Sequence, residues 1–561
     1  MTALLTDNLP LLAGAPNGIK KLRELILELA VRGKLVPQDP NDEPASELLK
    51  RIAQEKARLV AEGKIKKQKA LPEVSEDDQF FELPPGWRWC RLQDAFDVRD
   101  GTHDTPKYQP SGYPLVTSKN LYTGKLDLTD VKFISEEDHQ KISARSKVDR
   151  GDILFAMIGS IGNPAIVDTD IPFSIKNVAL LKQYAPGQIS TAFLLLYLSV
   201  AAADMREKSA GGVQSFVSLG SIRLYPFAFP ALSEQLRIVA KVDELMALCG
   251  RLEAQQADAE SAHAQLVQAL LGSLTQAADA EDFAASWQRL AEHFHTLFTT
   301  ESSIDALKQT LLQLAVMGKL VPQDPSDEPA SELLKRVAEK KARLISEEGL
   351  RTTAREDVPE AEYYFTLHAG WASYRLGNIA RFIDYRGRTP TKTPSGVPLI
   401  TAKNVRPGFI SREPQEFIAD TDYLSWMTRG FPRVGDMLFT TEAPMGNVAI
   451  IDIPDQFALA QRVICFQLHE LEIGPFLKLV MMSSGFQAQL SDAATGMTAT
   501  GIKSSRLKEI PVPVPPLPEQ HRIVAKVDQL LTLCDQLKTR LTQARQLNEQ
   551  LATALVEQAV A

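Results

Sequence analysis

Residues 22–59 read LRELILELAVRGKLVPQDPNDEPASELLKRIAQEKARL, and residues 307–344 repeat them as LKQTLLQLAVMGKLVPQDPSDEPASELLKRVAEKKARL. A second pair follows at the same spacing: SEQLRIVAKVDELMALCGRL at 233–252 returns as PEQHRIVAKVDQLLTLCDQL at 518–537. Ungapped repeats of this length indicate an internal duplication. The chain is therefore two copies of one arrangement, and we expect a pseudo-two-fold fold like a symmetric dimer fused into one chain.

Between the repeated segments lie two regions that match each other only at short motifs. GDILFAMIGSIGNPAIVD at 151–168 parallels GDMLFTTEAPMGNVAIID at 435–452, whereas the residues around such motifs differ freely. This pattern predicts two variable modules in a repeated constant frame. The predicted boundaries are a frame segment at 1–83, a first module at 84–230, a central frame region at 231–367, a second module at 368–515 and a final frame helix at 516–561.

The frame predicts two long helices. Apolar residues recur at three- and four-residue steps through 234–271 and again through 519–556, which is the spacing of a heptad seam. In the first rod the seam is Ile238, Val242, Leu245, Cys249, Leu252, Ala259, Leu266 and Leu270. A narrow apolar stripe on a polar helix needs another helix against it, so we expect the two rods to pack as an antiparallel coiled coil. His263 and Asn548 interrupt the stripe and are interpreted as register residues.

Each module predicts a mixed α/β domain. Strand-like runs such as YPLVT, GDILFAMI and VALLKQY in the first module return as VPLIT, GDMLFTT and RVICFQL in the second, and Gly-Asp and Gly-Asn pairs separate the runs as turns. Helical stretches follow at 191–207 and 475–491. The predicted fold class is therefore α/β, with two mixed domains joined by the long helices.

Composition and charge exclude several classes of protein. No apolar run is long enough to cross a membrane and no secretion signal opens the chain. Cys90, Cys249, Cys465 and Cys534 lack zinc spacing, which predicts free, buried thiols. The net charge of −8 argues weakly against nucleic-acid binding, but the two modules are close to neutral and the acidic excess lies outside them. The basic run KIKKQK at 64–69 allows two interpretations, a phosphate contact or a solvated linker.

Polar loops in the modules carry the residue types that contact DNA bases and phosphates. One Lys-Asn pair is kept in both modules, as Lys119-Asn120 and Lys403-Asn404, and could therefore serve geometry or phosphate contact and not sequence choice. If the modules differ in specificity, the residues that differ should discriminate, such as Arg386 and Arg388. The candidate DNA-binding residues are Arg99, Thr102, His103, Lys107, Thr117, Ser118, Lys119, Asn120, Ser160, Gln214 and Ser215 in the first module, and Arg386, Arg388, Thr389, Lys392, Thr401, Lys403, Asn404, Thr498, Thr500 and Lys503 in the second.

No motif for catalysis is present. The chain lacks an Asn/Asp-Pro-Pro-aromatic methyltransferase motif, a GxxxxGK[ST] phosphate loop, HExxH and GxSxG. This favours recognition without chemistry, so neither a catalytic site nor a metal site is expected. Two alternatives remain open: a stand-alone DNA-modifying enzyme, and a coiled-coil adaptor that binds proteins.

The frame segments QLAVMGKLVPQDPSDEPASELLKR and VPVPPLPEQHRIVAKVDQLL, together with Pro85-Gly86-Trp87, resemble the specificity subunits of type I restriction-modification enzymes. The resemblance implies two target recognition domains, each reading one half of a bipartite, asymmetric site in double-stranded DNA. It also implies that the frame docks two methyltransferase subunits, through which restriction (motor-nuclease) subunits join. The cofactors S-adenosylmethionine, ATP and Mg²⁺ are then expected on those partners and none on this chain, which we expect to be cytoplasmic.

Overall fold

The computed structural model describes residues 9–121, 124–208, 216–348, 358–363, 365–385, 389–460, 462–494 and 501–560. The chain divides into two compact units, one made of residues 1–258 with 544–561 and the other of residues 259–543. Two helices of more than forty residues, Leu232–Gln276 and Leu517–Val560, each contribute one part to one unit and the remainder to the other. Each unit therefore contains a module, short frame helices and pieces of both long helices.

The first unit begins with frame helices and then forms the first module. Gly33, two residues after the end of the helix at Gly18–Val31, has a φ of 67°, the left-handed conformation with which many helices end. Its helices are α1 (Leu9–Gly14), α2 (Gly18–Val31), α3 (Ala45–Ala61), α4 (Leu92–Ala95), α5 (Glu136–Ser146), α6 (Thr191–Lys208), α7 (Leu219–Leu224) and the first part of α8 (Leu232–Gln276). Its strands are β1 (Arg88–Arg91), β2 (Phe96–Asp100), β3 (Tyr113–Val116), β4 (Lys132–Ile134), β5 (Ile153–Ala156), β6 (Gly162–Ile166), β7 (Ser174–Ile175), β8 (Val178–Gln183) and β9 (Pro226–Phe229).

The strands of the first module form three small sheets. Four strands pair antiparallel in the order β2-β8-β5-β6, and three pair in the order β4-β3-β7, where β3 and β7 run parallel. The first and last strands, β1 and β9, pair antiparallel with Arg88 opposite Phe229. Because this pair is a stem that brings the two ends of the module together, the module is an insertion into the frame.

The four-stranded sheet is buried on both faces. Ile153 and Phe155 of β5 join the core that also includes frame residues of α2 and α8, whereas Leu154 and Ala156 join a second cluster on the other face. Alternation with a period of two is what a strand between two apolar layers requires. The module core and the frame core of this unit are thus continuous.

The second unit repeats this architecture. Its helices are the last part of α8, then α9 (Ala280–Glu292), α10 (Phe294–Leu297), α11 (Glu301–Val316), α12 (Ala330–Glu348), α13 (Leu376–Ile379), α14 (Tyr423–Trp426), α15 (Gly474–Met482), α16 (Ser484–Ala493), α17 (Ser504–Glu509) and the first part of α18 (Leu517–Val560). Its strands are β10 (Ala372–Arg375), β11 (Ala380–Asp384), β12 (Val397–Ile400), β13 (Val405–Arg406), β14 (Phe409–Ile410), β15 (Phe417–Ile418), β16 (Met437–Thr441), β17 (Met445–Ile450), β18 (Ala458–Leu459), β19 (Val463–Leu468) and β20 (Pro511–Val514).

The second module has the same strand order as the first. Its sheets are β11-β19-β16-β17 and β15-β12-β18, its stem is β10 with β20, and a small hairpin of β13 with β14 is added. The prediction of mixed α/β modules is confirmed, with the detail that nearly all strand pairs are antiparallel. The continuous helix predicted at 475–491 is wrong, because Ser483 ends α15 and its hydroxyl caps α16.

The long helices follow the predicted seam in their first halves and bury a different stripe farther along. In the first unit Ile238, Val242, Leu245 and Cys249 of α8 lie in the core with the short frame helix α2, as predicted for the seam's first half. Farther along α8, in the second unit, the buried residues are Val267, Leu271 and Leu274, whereas Leu266 is 52% exposed and Ala259 is exposed. The prediction is therefore wrong for these two positions.

The physical reason for this shift is the period of the helix. Cys249 and Val267 are separated by five turns of a straight helix with 3.6 residues per turn, whereas a heptad seam drifts by about 20° in every seven residues. The same shift occurs in α18, where Ala552 is buried and Leu551, the next position of the predicted seam after Asn548, is 45% exposed. Between the two buried stripes, residues 253–262 of α8 and 543–548 of α18 are exposed on every face.

Candidate nucleic-acid interface

A buried carboxylate fixes the first module to the long helix. Trp87, in the PPGW motif, donates its indole N–H to Glu234 Oε2 at 2.9 Å, and the Gln38 amide donates to Glu234 Oε1 at 2.7 Å. Burial raises the pKa of Glu234, although both hydrogen bonds favour its charged form. A Cβ on Gly33 would lie 2.8 Å from the Trp87 ring, so this close approach needs glycine. These four residues, which we call the frame clamp, orient the module.

The second unit contains the same clamp. Trp371 donates to Glu519 Oε2 at 3.0 Å, Gln323 donates to Glu519 Oε1 at 3.1 Å, and Gly318 lies against the Trp371 ring. The near-identity of the repeated segments thus has a structural cause, because each contributes residues to a clamp. The clamp places the polar loops of each module but contains none of the candidate DNA-binding residues.

Three loop segments of the first module converge around one turn. Asn177 occupies a left-handed conformation with a φ of 53°, and its backbone N–H donates to the Thr102 carbonyl at 3.1 Å. The neighbouring Lys176 donates its backbone N–H to Val116, which precedes the loop at 117–120, and the Asn177 carbonyl accepts from Met157, which precedes the loop at 159–163. The loops at 99–107, 117–120 and 159–163 therefore share one edge of the module.

The first of these loops has a charged network at its base. Asp100 pairs with Arg145, and its Oδ2 lies 2.8 Å from His103 Nε2. Burial opposes the charge on Asp100, but the hydrogen bond and charge of Arg145 outweigh it and hold the Asp100 pKa below its usual value. His103 Nδ1 lies 3.1 Å from Asn177 Oδ1, so both ring nitrogens have an oxygen partner. The His103 ring is exposed at the surface, where DNA could reach it.

Other candidates in the first module differ in their accessibility. Arg99 donates its Nε to Asp97 at 2.8 Å and is partly buried, and the Thr102 hydroxyl donates to the Asp104 carbonyl. Lys107, Lys119 and Ser160 are exposed, and Thr117 and Ser118 are half-buried.

Asn120 and Asn404 hold the geometry of their loops, and a DNA contact by either residue stays a prediction. Both are buried, and the Asn120 amide accepts from Thr117 N–H and hydroxyl while donating to the carbonyls of Asp127 and Asp130. Asn404 makes the same four hydrogen bonds in the second module. Thr401, its partner, is 3% exposed. Because these side chains are buried and their hydrogen-bonding groups have partners within the loop, the geometric interpretation is the favoured one.

The second module gathers its loops around the equivalent turn. Arg462 stands where the first module has Asn177, also with a left-handed φ of 65°, and its carbonyl accepts from Thr441 N–H at 2.8 Å. Its guanidinium is half exposed and lies 2.8 Å from Glu442. The backbone of Glu442 forms an isolated antiparallel β-bridge with Gly501, and Gly501 lies two residues before the exposed Lys503.

Two further lysines of the second module share one acidic partner. Lys392 Nζ lies 2.8 Å from Glu416 Oε1 and Lys403 Nζ lies 3.7 Å from the same oxygen. Both lysines are exposed, as is Thr389. Six candidates lie outside the described residues: Gln214, Ser215, Arg386, Arg388, Thr498 and Thr500.

Sequence reasoning missed three residues of this surface. Arg145 is on helix α5, far from any selected loop in the sequence, and nothing in its local sequence marks it. Asn177 and Arg462 could have been found, because aligning the buried runs VALLKQ and VICFQL places them at the same position with different side chains. A polar residue that differs between two copies of one framework is a candidate for discrimination.

Several site types are absent from the described part of the chain. No group of His, Cys, Asp and Glu side chains there could hold a metal ion. None of the helices described is long and apolar enough to cross a membrane. All four cysteines are free and buried, which confirms the prediction for them.

Comparison with known proteins agrees with the internal repeat. The model of the type I restriction modification DNA specificity domain matches twice, at residues 84–259 and 368–545. The EcoAI specificity subunit from Escherichia coli, of a type I restriction enzyme, is 38% identical, with 97% of this chain and 94% of that protein covered. The corresponding EcoEI subunit from Escherichia coli is 37% identical over the same shares.

Among solved structures, the HsdS subunit from Thermoanaerobacter tengcongensis matches with a TM-score of 0.41 and 20% identity, over 86% of this chain and 98% of that one.

Proposed function

Because the chain belongs to the family of type I restriction-modification DNA specificity proteins, we propose that it reads a bipartite, asymmetric site in double-stranded DNA, with one half-site for each module. The convergent loops carry this proposal. Two modules with one strand order present their loops around equivalent turns, and the residue at the turn is Asn177 in one and Arg462 in the other. Equal frameworks with unequal contact residues suit the recognition of two different half-sites.

The chain is a recognition subunit and not an enzyme, and it carries no cofactor of its own, as is true of the specificity subunits it resembles. Chemistry then belongs to partners. We propose that the frame docks two methyltransferase subunits, with restriction subunits joining through them, in the cytoplasm. S-adenosylmethionine, ATP and Mg²⁺ would bind to those partners.

We propose that the two halves are related by a pseudo-two-fold axis and exchange helix ends. The support is positional: Val267, Leu271 and Leu274 of α8 contribute to the second unit's cores, and the residues at equivalent positions of α18, Ala552, Val556 and Ala559, contribute to the first unit's core. Each rod thus contributes to both units, as in a fused symmetric dimer. The rods would act as a spacer that sets the distance between half-sites along DNA.

Methylome sequencing of cells with and without the chain, beside its methyltransferase, tests the proposal. We expect a methylated motif of two unlike half-sites with a fixed spacer, present only when the chain is present. Methylation that persists without the chain would contradict a recognition role. A chain that assembles with its partner but protects no DNA would instead favour a protein adaptor.

A further inference from the structure

A basic groove lies beside the loops of the first module. Its volume is about 800 Å³, and one wall is the segment at 63–69 that carries the run KIKKQK. The opposite side is formed by residues of β2, α5 and α7, including Arg99, Arg145 and Arg223. The proposed recognition loops do not include this segment, which belongs to the frame.

The segment that follows α3 is docked on the module. Gln68 donates to Asp97 Oδ1 at 3.3 Å and accepts from the Tyr184 hydroxyl at 3.2 Å. The buried Arg91 then holds the next residues, because its guanidinium donates to the carbonyls of Pro72 and Glu73. The basic run allowed two interpretations, a phosphate contact or a solvated linker. These contacts argue against a freely solvated linker.

Positive charge exceeds negative charge in the groove. Seven lysine and arginine side chains line it, against two carboxylates, Asp97 and Asp100. Arg99 pairs with Asp97 and Arg145 pairs with Asp100, whereas Arg223 donates to the Val98 carbonyl. Lys66, Lys67 and Lys69 are exposed, and no carboxylate described in this chain lies within ion-pair distance of them. An open groove with unneutralised cations suits a polyanion.

We propose that this groove binds the sugar-phosphate backbone of the DNA duplex. The inference rests on the proposed function, because the groove is continuous with the loop at 99–107: Arg145 lines the groove and pairs with Asp100, which contacts His103 in that loop. A duplex on the loop would extend its backbone past the lysines. Phosphate contacts of this kind add affinity and orientation without adding sequence preference.

The test is the salt dependence of DNA binding by the full-length chain with its methyltransferase. The variant is Lys66→Gln with Lys67→Gln, and the control is Lys50→Gln with Arg51→Gln, which removes two exposed charges of α3 that pair with Glu47 and Glu43. Fluorescence anisotropy measures Kd from about 50 to about 200 mM salt, the range over which phosphate contacts weaken strongly. The probes are a duplex with the motif found by methylome sequencing and a scrambled duplex.

We expect the groove variant to bind both duplexes more weakly, by the same factor, with the slope of log K against log salt reduced by about 2, since each lost phosphate contact contributes roughly 0.9. The control should retain the wild-type slope. Equal slopes for the variant and the control would overturn the inference. So would a loss confined to the cognate duplex, or weakened binding of the methyltransferase with unchanged DNA slopes.

The groove and the proposed function are tested by different comparisons. A wild-type complex that does not distinguish the cognate from the scrambled duplex contradicts the proposed function. The groove is judged by the difference in slope between the variant and the control, which either duplex reveals.

Discussion

At the scale of residues, the frame clamp explains why the tryptophan at each module start occurs together with a glutamate at the start of the following long helix. Trp87 donates to Glu234, and Trp371 donates to Glu519. The sequence predicts that both segments matter but not that they meet, because Trp87 and Glu234 are separated by an entire module. Glu234 is buried, and each of its two carboxylate oxygens accepts one hydrogen bond, from Gln38 or from Trp87. Removing one donor leaves a buried carboxylate with an unmade hydrogen bond, which is costly.

We expect Trp87→Phe to lower the free energy of unfolding by about 1–3 kcal/mol, as measured by denaturant titration. The matched control is Trp89→Phe, because the Trp89 indole N–H is buried and has no hydrogen-bond partner. This control should leave stability nearly unchanged. Equal losses in both variants would show that ring volume, and not the bond to Glu234, matters.

The loop asparagines supply a second prediction at this scale. Asn120→Asp replaces a donor that serves two carbonyls with an acceptor, so we expect a loss of about 1–3 kcal/mol in the free energy of unfolding. The exposed neighbour Lys119→Ala should unfold like the wild type. A stable Asn120→Asp variant with altered DNA choice would instead favour Asn120 as a DNA contact, as the sequence predicts.

Arg462 carries the third prediction. We expect Arg462→Ala to relax the preference at one position of the second half-site, by about 1–3 kcal/mol, and to leave the first half-site unchanged. Binding to a panel of duplexes, each with one base pair changed, measures this effect. Arg336→Ala, on an exposed frame helix and paired with Glu328, is the control. A uniform loss across the panel would assign Arg462 to the phosphates.

At the scale of elements, the strand runs and most helix bounds follow from the sequence, because alternation and capping are local signals. The register of the long helices does not. Leu266 and Val267 are both apolar, so the pattern alone cannot decide between a 3.5-residue seam and a straight helix. The decision comes from the short frame helices, which pack against α8 and α18 and were not paired with them in the prediction.

This geometry predicts the effect of insertions in the exposed stretches, residues 253–262 and 543–548. Seven residues added to both helices extend each by about two turns and about 10 Å, which should lengthen the spacer between half-sites by about three base pairs. Two residues added to both helices rotate the far stripe by about 200° and should destabilise the protein. Methylome sequencing and thermal unfolding check these outcomes, and an unchanged spacer with the longer helices would contradict the spacer role.

At the scale of the whole molecule, the internal repeat is the feature that the sequence alone reveals best. It is found by comparing the residues of the two copies, without weighing one interaction energy against another. The candidate surface was only partly predictable. The loops at 99–107 and 117–120 were found from their residue types, whereas Arg145 and the groove arise from tertiary packing that brings α5 and the 63–69 segment to β2. Charge that is gathered from separate segments leaves no signal in any one of them.

We propose that the two modules are interchangeable DNA-recognition domains held by one repeated frame. The stem pairs β1 with β9 and β10 with β20 supply matched cut points, so residues 368–515 can replace residues 84–230. The most direct measurement is methylome sequencing of cells that carry this doubled second module in place of the wild-type chain. We expect the first half-site to disappear and the second half-site to appear on both sides of the spacer, in inverted orientation. Continued methylation of the original asymmetric site would contradict it.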